Sequence, residues 1–290
     1  MIMPLAKRLR LARMGLMTLF GPRPQGFFIP YRYADRMPRA VPPYAAFEAL
    51  FERHRPAFQG VLDRMDAHAD ALLAIGAAPP PAPRWAQSWF PRLDAAAAYV
   101  ILRDRRPKRV VEVGSGHSTR FLARAAADGG LDVDITAIDP APRADIGRLP
   151  VALVRSPVQE AEPAPFAALA PGDVLFIDSS HIAMPGSDVD LLFGRVLPSL
   201  PAGVLVHIHD ICLPDDYFPA WQWRGYNEQA LASALLAGGG YQPLFASRYV
   251  ATRMADAVAR SVAGRLALPE GAVETSLWLR KTAQPIGPLA

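Results

Sequence analysis

The 290-residue chain has a single cysteine, Cys212. One thiol excludes a framework of intramolecular disulfides and any zinc site built from cysteines, so a cytoplasmic location is expected. The apolar stretch after Arg13 is too short and too interrupted to cross a bilayer. No small-residue cleavage site follows the apolar part of residues 1–20, so a secretory signal is not expected.

The chain carries little net charge, +4 in all, and lacks an arginine-rich run with interleaved aromatic residues. Nucleic acid is therefore not an expected partner. Basic residues near the start, Lys7, Arg8, Arg10 and Arg13, are mixed with leucines and methionines. Residues 1–20 are predicted to form an amphipathic helix, which either docks on the rest of the chain or makes a peripheral contact with a membrane.

Residues 1–84 are predicted to form an extension that precedes the main domain. Residues 21–45 are rich in proline and aromatic residues, which indicates an irregular arm. Apolar residues recur at helical spacing over residues 44–75, and Pro56 is predicted to split that stretch into two helices. A proline-rich run at residues 77–83 follows, which no helix can cross. The main domain is thus expected to span residues 85–290.

Short apolar runs alternate with helical stretches through the main domain. This pattern is typical of parallel strands covered by helices on both faces, so an α/β, doubly wound, mostly parallel sheet is predicted. The predicted helices are 94–102, 118–127, 188–196 and 228–236; the predicted strands are 109–113, 133–138, 151–154, 173–177 and 203–208, with 244–248 and 275–279 as a terminal antiparallel pair.

A glycine turn follows the first predicted strand. Gly114 and Gly116 flank Ser115, and glycines here allow a tight turn and a close approach of the backbone to a ligand. The third glycine of a dinucleotide-binding motif is replaced by Thr119. Glu112, just before the turn, would repel a pyrophosphate and suits a cationic amino-acid group instead. Asp139 ends the next strand, at a spacing suited to binding ribose hydroxyls.

The series Glu112-x-Gly114-x-Gly116 followed by Asp139 resembles the motifs of class I S-adenosylmethionine-dependent methyltransferases, over about residues 85–282. The resemblance implies a Rossmann-like, seven-stranded sheet whose last strand is antiparallel. It also implies that S-adenosylmethionine is the cofactor. Glu112, Gly114, Ser115 and Gly116 would hold its methionine part, Asp139 its ribose, and Gln159, after the third strand, its adenine.

Acidic and imidazole side chains end the fourth and fifth predicted strands. Asp178 and His181 follow the fourth strand, and His209 and Asp210 follow the fifth, whereas His207 lies further back and is predicted to be a core residue. Ligands of open parallel sheets bind at the carboxyl ends of the strands, so these four are expected in one cleft.

Two interpretations of this cluster stay open. In one, Asp178, Asp210 and His209 bind a divalent metal, which carboxylate and imidazole ligands allow to be Mg²⁺, Mn²⁺, Fe²⁺ or Zn²⁺. In the other, no metal binds, and His181 or His209 acts with Asp210 as acid–base catalyst on the acceptor. An aromatic loop that follows, residues 213–227, is a candidate lid.

The order of Asp178 and Asp210 resembles catechol O-methyltransferase, except that Ile211 stands where that family has an amide ligand. The segments 177–181 and 207–210 are closer to a methyltransferase 24-like group. The resemblance implies O-methylation of a small-molecule, glycan-linked or lipid-linked acceptor. Rival functions are a nicotinamide-dependent dehydrogenase, a non-catalytic cofactor-binding protein, and a metal-dependent oxygenase or hydrolase; the sequence does not set the oligomeric state.

Overall fold

The computed structural model describes residues 4–26, 29, 31–38 and 41–289. The described part leaves out residues 1–3 of the predicted amphipathic segment. It also leaves out residues 27, 28, 30, 39 and 40 of the predicted arm, and residue 290. One seven-stranded sheet organises the chain, in the order β3-β2-β1-β4-β5-β7-β6. Its strands are β1 Arg109–Val113, β2 Asp134–Ile138, β3 Ala152–Val154, β4 Val174–Ile177, β5 Leu205–Ile208, β6 Tyr241–Ala246 and β7 Leu277–Lys281.

The first five strands are parallel, and β7 runs antiparallel to both β5 and β6. This confirms the predicted fold class. The predicted strand over 244–248 is wrong in its bounds, because β6 ends at Ala246 and Ser247 begins a helix. The strand begins earlier because Gly239 and Gly240 turn the chain just before Tyr241. Pro243 is tolerated because β6 is an edge strand, where one backbone amide can go without a ladder partner.

Helices cover both faces of the sheet and form the extension before it. They are α1 Leu5–Phe20, α2 Ala45–Ala67, α3 Ala69–Leu73, α4 Arg92–Arg105, α5 His117–Asp128, α6 Ala164–Ala167, α7 Asp188–Leu191, α8 Leu197–Ser199, α9 Glu228–Ala237, α10 Ser247–Arg253 and α11 Ala255–Arg260. A π-helical turn at Leu192–Val196 joins α7 to α8. The predicted helix 188–196 is therefore part of a segment that changes its winding twice. Among the described residues, none of these helices has the length and hydropathy needed to span a membrane.

The prediction that Pro56 divides the second helical stretch is wrong. The helix α2 runs through Pro56 without interruption, and the break comes at His68. A proline inside a helix removes one backbone hydrogen bond. Packing compensates for this loss, because Phe51, Phe58 and Met65 of α2 are fully buried in the core.

Strand register brings the candidate residues to one edge of the sheet. Val113 at the end of β1 pairs with Ile177 of β4, and Ile177 pairs with Ile208 of β5. The chain therefore leaves all three strands at the same level, at Gly114, Asp178 and His209. These strands are adjacent in the middle of the sheet, so the loops beyond them meet at the carboxyl edge, where ligands of such sheets bind.

Candidate functional site

Gly114 lies in direct backbone contact with the loop that follows β4. Its φ of +80° falls in the left-handed region, and a Cβ added to it would lie 1.9 Å from the carbonyl oxygen of Asp178. Its amide donates to the Ile138 carbonyl at 3.0 Å. The Asp178 amide in turn donates to the Val113 carbonyl at 2.8 Å. Only glycine fits here, for both its conformation and its lack of a side chain.

Asp139 holds the glycine turn in place. Its Oδ2 accepts hydrogen bonds from the amide of Ser115 at 2.7 Å and from the Ser115 hydroxyl at 3.0 Å. Its Oδ1 accepts from the Ala141 amide at 2.7 Å. Asp139 therefore joins the end of β2 to the turn after β1.

Glu112 lies beneath the turn and is fully buried. Its two carboxyl oxygens accept hydrogen bonds from the hydroxyls of Ser118 and Thr119, both at 2.6 Å. The Thr119 hydroxyl also accepts from the Gly116 amide at 2.9 Å. Burial raises the pKa of Glu112 to about 8, although the two hydroxyl donors favour its charged form. Thr119, which replaces the third motif glycine, is thus part of the turn's support.

A cleft of about 580 Å³ opens at the carboxyl edge beside β1 and β2. It is lined by Gly114, Ser115, Asp139, Gln159, Asp178 and Asp188, among others. The Gln159 side chain donates to the Gly186 carbonyl at 3.3 Å. The cleft thus brings together four of the six predicted cofactor residues, whereas Glu112 and Gly116 lie behind its wall.

A second, smaller cavity of about 40 Å³ adjoins the cleft. It is lined by Asp178, His209 and Asp210 on one side and by Trp89, Trp221 and Arg224 on the other. Asp178 and Arg143 line both cavities. The carboxylate at the end of β4 is therefore shared between the cleft beside the glycine turn and the space beside the imidazole cluster.

His181 is surrounded by three carboxylates. Its Nδ1 contacts Glu228 Oε2 at 2.8 Å, while its Nε2 lies 3.4 Å from both Asp178 Oδ1 and Asp210 Oδ2. Burial favours the neutral ring, yet hydrogen bonding to Asp178 and Glu228 and the charge of Asp210 raise the pKa of His181 well above its usual value. The ring of Tyr226 packs on the imidazole at 4.6 Å between centroids.

His209 has a matching arrangement. Its Nδ1 lies 3.3 Å from Asp178 Oδ1 and 3.6 Å from Asp210 Oδ1, and its Nε2 lies 3.5 Å from Asp94 Oδ2. Despite burial, the charges of Asp210 and Asp178 raise the pKa of His209 well above its usual value. Burial opposes ionisation of Asp178 as well, but His209 and His181 hold its pKa well below the usual range. The arrangement therefore favours the charged form of both imidazoles.

Two residues of the cluster have left-handed backbone conformations. The φ angle is 62° at His181 and 54° at Asp210. Such values are uncommon outside glycine. The His181 carbonyl accepts from the amides of Asn227 and Glu228, at 3.0 and 3.3 Å, where α9 begins. These conformations cost about 1–3 kcal/mol and persist where surrounding contacts impose them. Here they bring both side chains back toward the Asp178 carboxylate.

The donors of the predicted metal site do not suit a cation in this arrangement. A metal needs a neutral imidazole with a free lone pair. The Nδ1 of His209 lies 3.3 Å from Asp178 Oδ1 and 3.6 Å from Asp210 Oδ1, and despite burial the charges of these carboxylates raise the pKa of the ring, which disfavours its neutral form. Among the residues that the structure describes, no group of three or more His, Cys, Asp or Glu side chains is disposed to hold a metal ion. The interpretation without a metal is the one that this geometry favours.

Two buried carboxylates beside His181 and His209 were not predicted from the sequence. Glu228 binds His181, and its other oxygen accepts from the Ser179 hydroxyl at 3.1 Å. Asp94, beside His209, accepts from the amides of Thr275 and Ser276. Both carboxylates stand in the first turn of a helix, where acidic residues are expected for their interaction with the helix dipole alone. No sequence signal separates them from ordinary helix starts.

His207 is a core residue, as predicted. It is fully buried, its ring stacks on Phe176 at 3.6 Å between centroids, and its Nε2 is 2.8 Å from the Ser276 hydroxyl. Burial and the charge of His209 hold its pKa well below the usual value. Of the aromatic residues before β1, Trp89 lines the small cavity, whereas Phe90 packs in the core against Phe176.

Comparison with known proteins agrees with this description. Residues 111–211, about a third of the chain, match a family model described as a methyltransferase domain, of the 24-like group. The match runs from β1 to just past Asp210, so it includes the glycine turn and the imidazole cluster. It confirms the resemblance predicted from the sequence. No curated protein matches the chain.

Solved structures of similar fold include three enzymes. A methyltransferase of Podospora anserina with bound S-adenosylhomocysteine has 16% identity and a TM-score of 0.41, over 89% of this chain and 100% of that one. The O-methyltransferase TomG of Streptomyces achromogenes, in complex with S-adenosylmethionine, has 16% identity and a TM-score of 0.38, over 77% of this chain and 90% of that one. A branched-chain polyamine synthase of Thermus thermophilus has 18% identity and a TM-score of 0.41, over 76% of this chain and 67% of that one. Likeness at this level carries no argument about substrate.

Replacing Gly114 by alanine is expected to weaken binding of S-adenosylhomocysteine at least tenfold, because the new Cβ displaces the Asp178 carbonyl and moves the turn. Isothermal titration calorimetry measures the dissociation constant. Gly239→Ala is the matched control, since Gly239 has a similar φ of +72° but open space around its Cα, and it does not line the cleft. Equal effects of the two substitutions would contradict the steric explanation.

Glu112 is expected to make the unfolding free energy fall as pH rises from about 4.5 to about 8. The folded state binds this proton more tightly than the unfolded state. Stability is therefore greatest below the ordinary pKa and is lost as the pH passes the raised one, by about 1.4 kcal/mol per pH unit at most. Urea unfolding across this range measures the effect. Glu112→Gln should flatten the dependence, and the exposed-site control Glu162→Gln should not; unchanged slopes in both would contradict the prediction.

Proposed function

We propose that this chain is an S-adenosylmethionine-dependent methyltransferase that methylates a hydroxyl group of a small-molecule, glycan-linked or lipid-linked acceptor. The single observation that carries the proposal is the position of Asp178, which lines both the cleft beside the glycine turn and the small cavity beside the imidazoles. A cofactor site and a polar reaction site thus share one wall. The match of residues 111–211 to a methyltransferase domain supports the same conclusion.

The cleft is lined by hydrogen-bonding groups of the kinds that this cofactor requires. Ser115 and Asp139 offer a hydroxyl and a carboxylate at positions suited to the methionine and ribose parts, and Gln159 an amide on the side expected for adenine. Gly114 lets the backbone approach without a side chain in the way. Glu112 supports the turn from below through two hydroxyl groups. A cleft lined by carboxylates suits a ligand that carries a positive sulfonium.

When bound, S-adenosylmethionine supplies a methyl group already activated by its sulfonium. The protein must therefore position a nucleophile, exclude water and accept a proton. The imidazoles of His181 and His209 lie between these carboxylates, and a raised pKa favours their charged form, so we assign them the role of orienting the carboxylates. Asp178 and Asp210 are the groups left to accept a hydrogen bond from the acceptor hydroxyl. Asp210 lines the small cavity, and its Oδ2 lies 3.7 Å from a guanidinium nitrogen of Arg224.

A nicotinamide-dependent dehydrogenase is less well supported. Such enzymes place a pyrophosphate over the glycine turn, where helix-start amides neutralise it. Here the carboxylates of Asp139 and Asp178 lie beside the turn. Arg143 is the single cationic side chain among the residues that line the cleft in the described part of the chain.

The cofactor and the acid–base cluster are separable in a direct experiment. We expect calorimetry to show binding of S-adenosylmethionine, and incubation with methyl-labelled cofactor and a panel of phenols, catechols and sugars to yield S-adenosylhomocysteine. Asp210→Asn should lower turnover by about a hundredfold or more, the usual size of an acid–base contribution. Its affinity for S-adenosylhomocysteine should change less than twofold, because Asp210 does not line the cleft.

Asp134→Asn, on the exposed start of β2, is the control and should leave both quantities unchanged. Failure of the folded wild-type chain to bind either form of the cofactor would reject the proposed function. Binding without turnover of any acceptor would instead favour the non-catalytic cofactor-binding alternative, which the buried cluster of paired acids and imidazoles argues against.

Metal removal is expected to leave the activity intact. Because no group of three or more His, Cys, Asp or Glu side chains in the described part of the chain is disposed to hold a metal ion, we expect the reaction to proceed without a divalent ion. Elemental analysis of the purified chain should find far less than one metal per chain, and treatment with a chelator should leave the rate of S-adenosylhomocysteine release unchanged. If the chelator abolishes activity and Mg²⁺ or Mn²⁺ restores it, this assignment is wrong and the cluster binds a metal.

A further inference from the structure

The N-terminal helix α1 has two faces of opposite exposure. One side of the helix is half-buried, at Lys7, Met14, Met17 and Thr18. These positions share that side because the helix has about 3.6 residues per turn. The opposite side is apolar and faces outward, at Leu5 (70% exposed), Leu9 (61%), Leu16 (59%), Leu19 (58%) and Phe20 (83%). No residue of α1 is buried. The helix thus presents its leucines to the surroundings, the reverse of an ordinary surface helix.

Basic residues border this outward apolar face. Arg8 and Arg13 fall on its two sides at helical spacing, and both are exposed. Residues 1–40 contain eight lysines and arginines against the single acid Asp35, a net charge of +7, which leaves −3 for the other 250 residues. The net positive charge of the chain therefore comes from the segment that carries the exposed leucines.

The helix adjoins the loop that covers the small cavity. The Lys7 ammonium lies 4.0 Å from the centre of the Trp223 ring. Trp223 belongs to the short 3₁₀ segment Pro219–Arg224, whose residues Trp221 and Arg224 line the cavity beside Asp210. Arg224 also packs over the ring of Trp221, at 4.4 Å. The helix α1 is thus next to the segment that an acceptor would pass on its way to the cavity.

We infer that α1 is a membrane-docking helix that lies on the surface of an anionic lipid bilayer, with Leu5, Leu9, Leu16, Leu19 and Phe20 in the acyl boundary and Arg8 and Arg13 at the headgroups. An apolar helix face bordered by arginines is the pattern that lies in such an interface. Each basic residue near an anionic leaflet adds to the attraction. The inference concerns where the protein works and does not depend on methyl transfer.

A second copy of the chain is a poorer partner for this face than a bilayer. Pairing two copies of α1 along their leucines would bring Arg8 and Arg13 of each against those of the other, and like charges at such spacing repel. The rest of the chain is acidic overall, but the exposed large apolar residues in its described part after α2 are scattered singly, as at Trp89, Val154 and Leu268. An anionic leaflet satisfies both the apolar and the charged parts of the surface.

Sedimentation with lipid vesicles tests the inference, with the full chain and without cofactor. Wild-type protein should sediment with vesicles of phosphatidylcholine and phosphatidylglycerol, far less with phosphatidylcholine alone, and less again at high salt. Arg8→Gln/Arg13→Gln should lower the partition coefficient about thirtyfold. Leu9→Glu/Leu16→Glu should abolish binding, because it places charge in the apolar face.

Matched controls separate this effect from general changes of charge. Arg53→Gln/Arg195→Gln removes two exposed arginines elsewhere, and Leu268→Glu/Ile286→Glu adds two acids at exposed apolar positions elsewhere; neither should alter binding by more than about twofold. Circular dichroism and thermal unfolding, measured for every variant, report folding without relying on cofactor binding. No sedimentation of the wild type, equal losses in the controls, or a wild-type dimer that only Leu9→Glu/Leu16→Glu dissociates would each overturn the inference.

Discussion

The centre of this molecule depends on the contacts of two buried imidazoles with four carboxylates. His181 and His209 each contact both Asp178 and Asp210. His181 is also hydrogen-bonded to Glu228, whereas the Nε2 of His209 lies 3.5 Å from Asp94 without a hydrogen bond. Buried charges are costly unless they are paired and hydrogen-bonded. Removing either imidazole would leave buried carboxylates facing one another without a partner. Loss of one member is therefore expected to destabilise the whole cluster.

This cluster also joins distant parts of the chain. Asp94 brings the start of α4 against the segment before β7, through the amides of Thr275 and Ser276, and Glu228 brings the start of α9 against the loop after β4. The same contacts that fix the imidazoles thus close the carboxyl edge of the sheet. Stability and the geometry of the reaction site are coupled here, which is common where catalytic groups are preorganised.

Much of the fold was predictable from the sequence because strand periodicity and the glycine turn are local signals. β1 has the predicted bounds, and the order of strand ends placed Asp178 and Asp210 at one edge. The continuous helix through Pro56 was not predictable, because burial of apolar side chains along α2 outweighs the local cost of proline. The roles of Glu228 and Asp94 were hidden for a similar reason, since long-range packing alone brings them to the histidines. The assignment of cofactor and catalytic residues stays a prediction.

Because Gly114 has no side chain, its backbone contacts the loop after β4 directly, and this contact can couple the two ligand sites. With its Cα pressed against the Asp178 carbonyl, the glycine turn and the loop after β4 form one rigid piece. A ligand that shifts the turn must also shift the carboxylate that faces the small cavity. Linkage then requires reciprocity: whatever factor the first ligand applies to the affinity of the second, the second applies to the first. This backbone contact is therefore one route for any cooperativity between cofactor and acceptor.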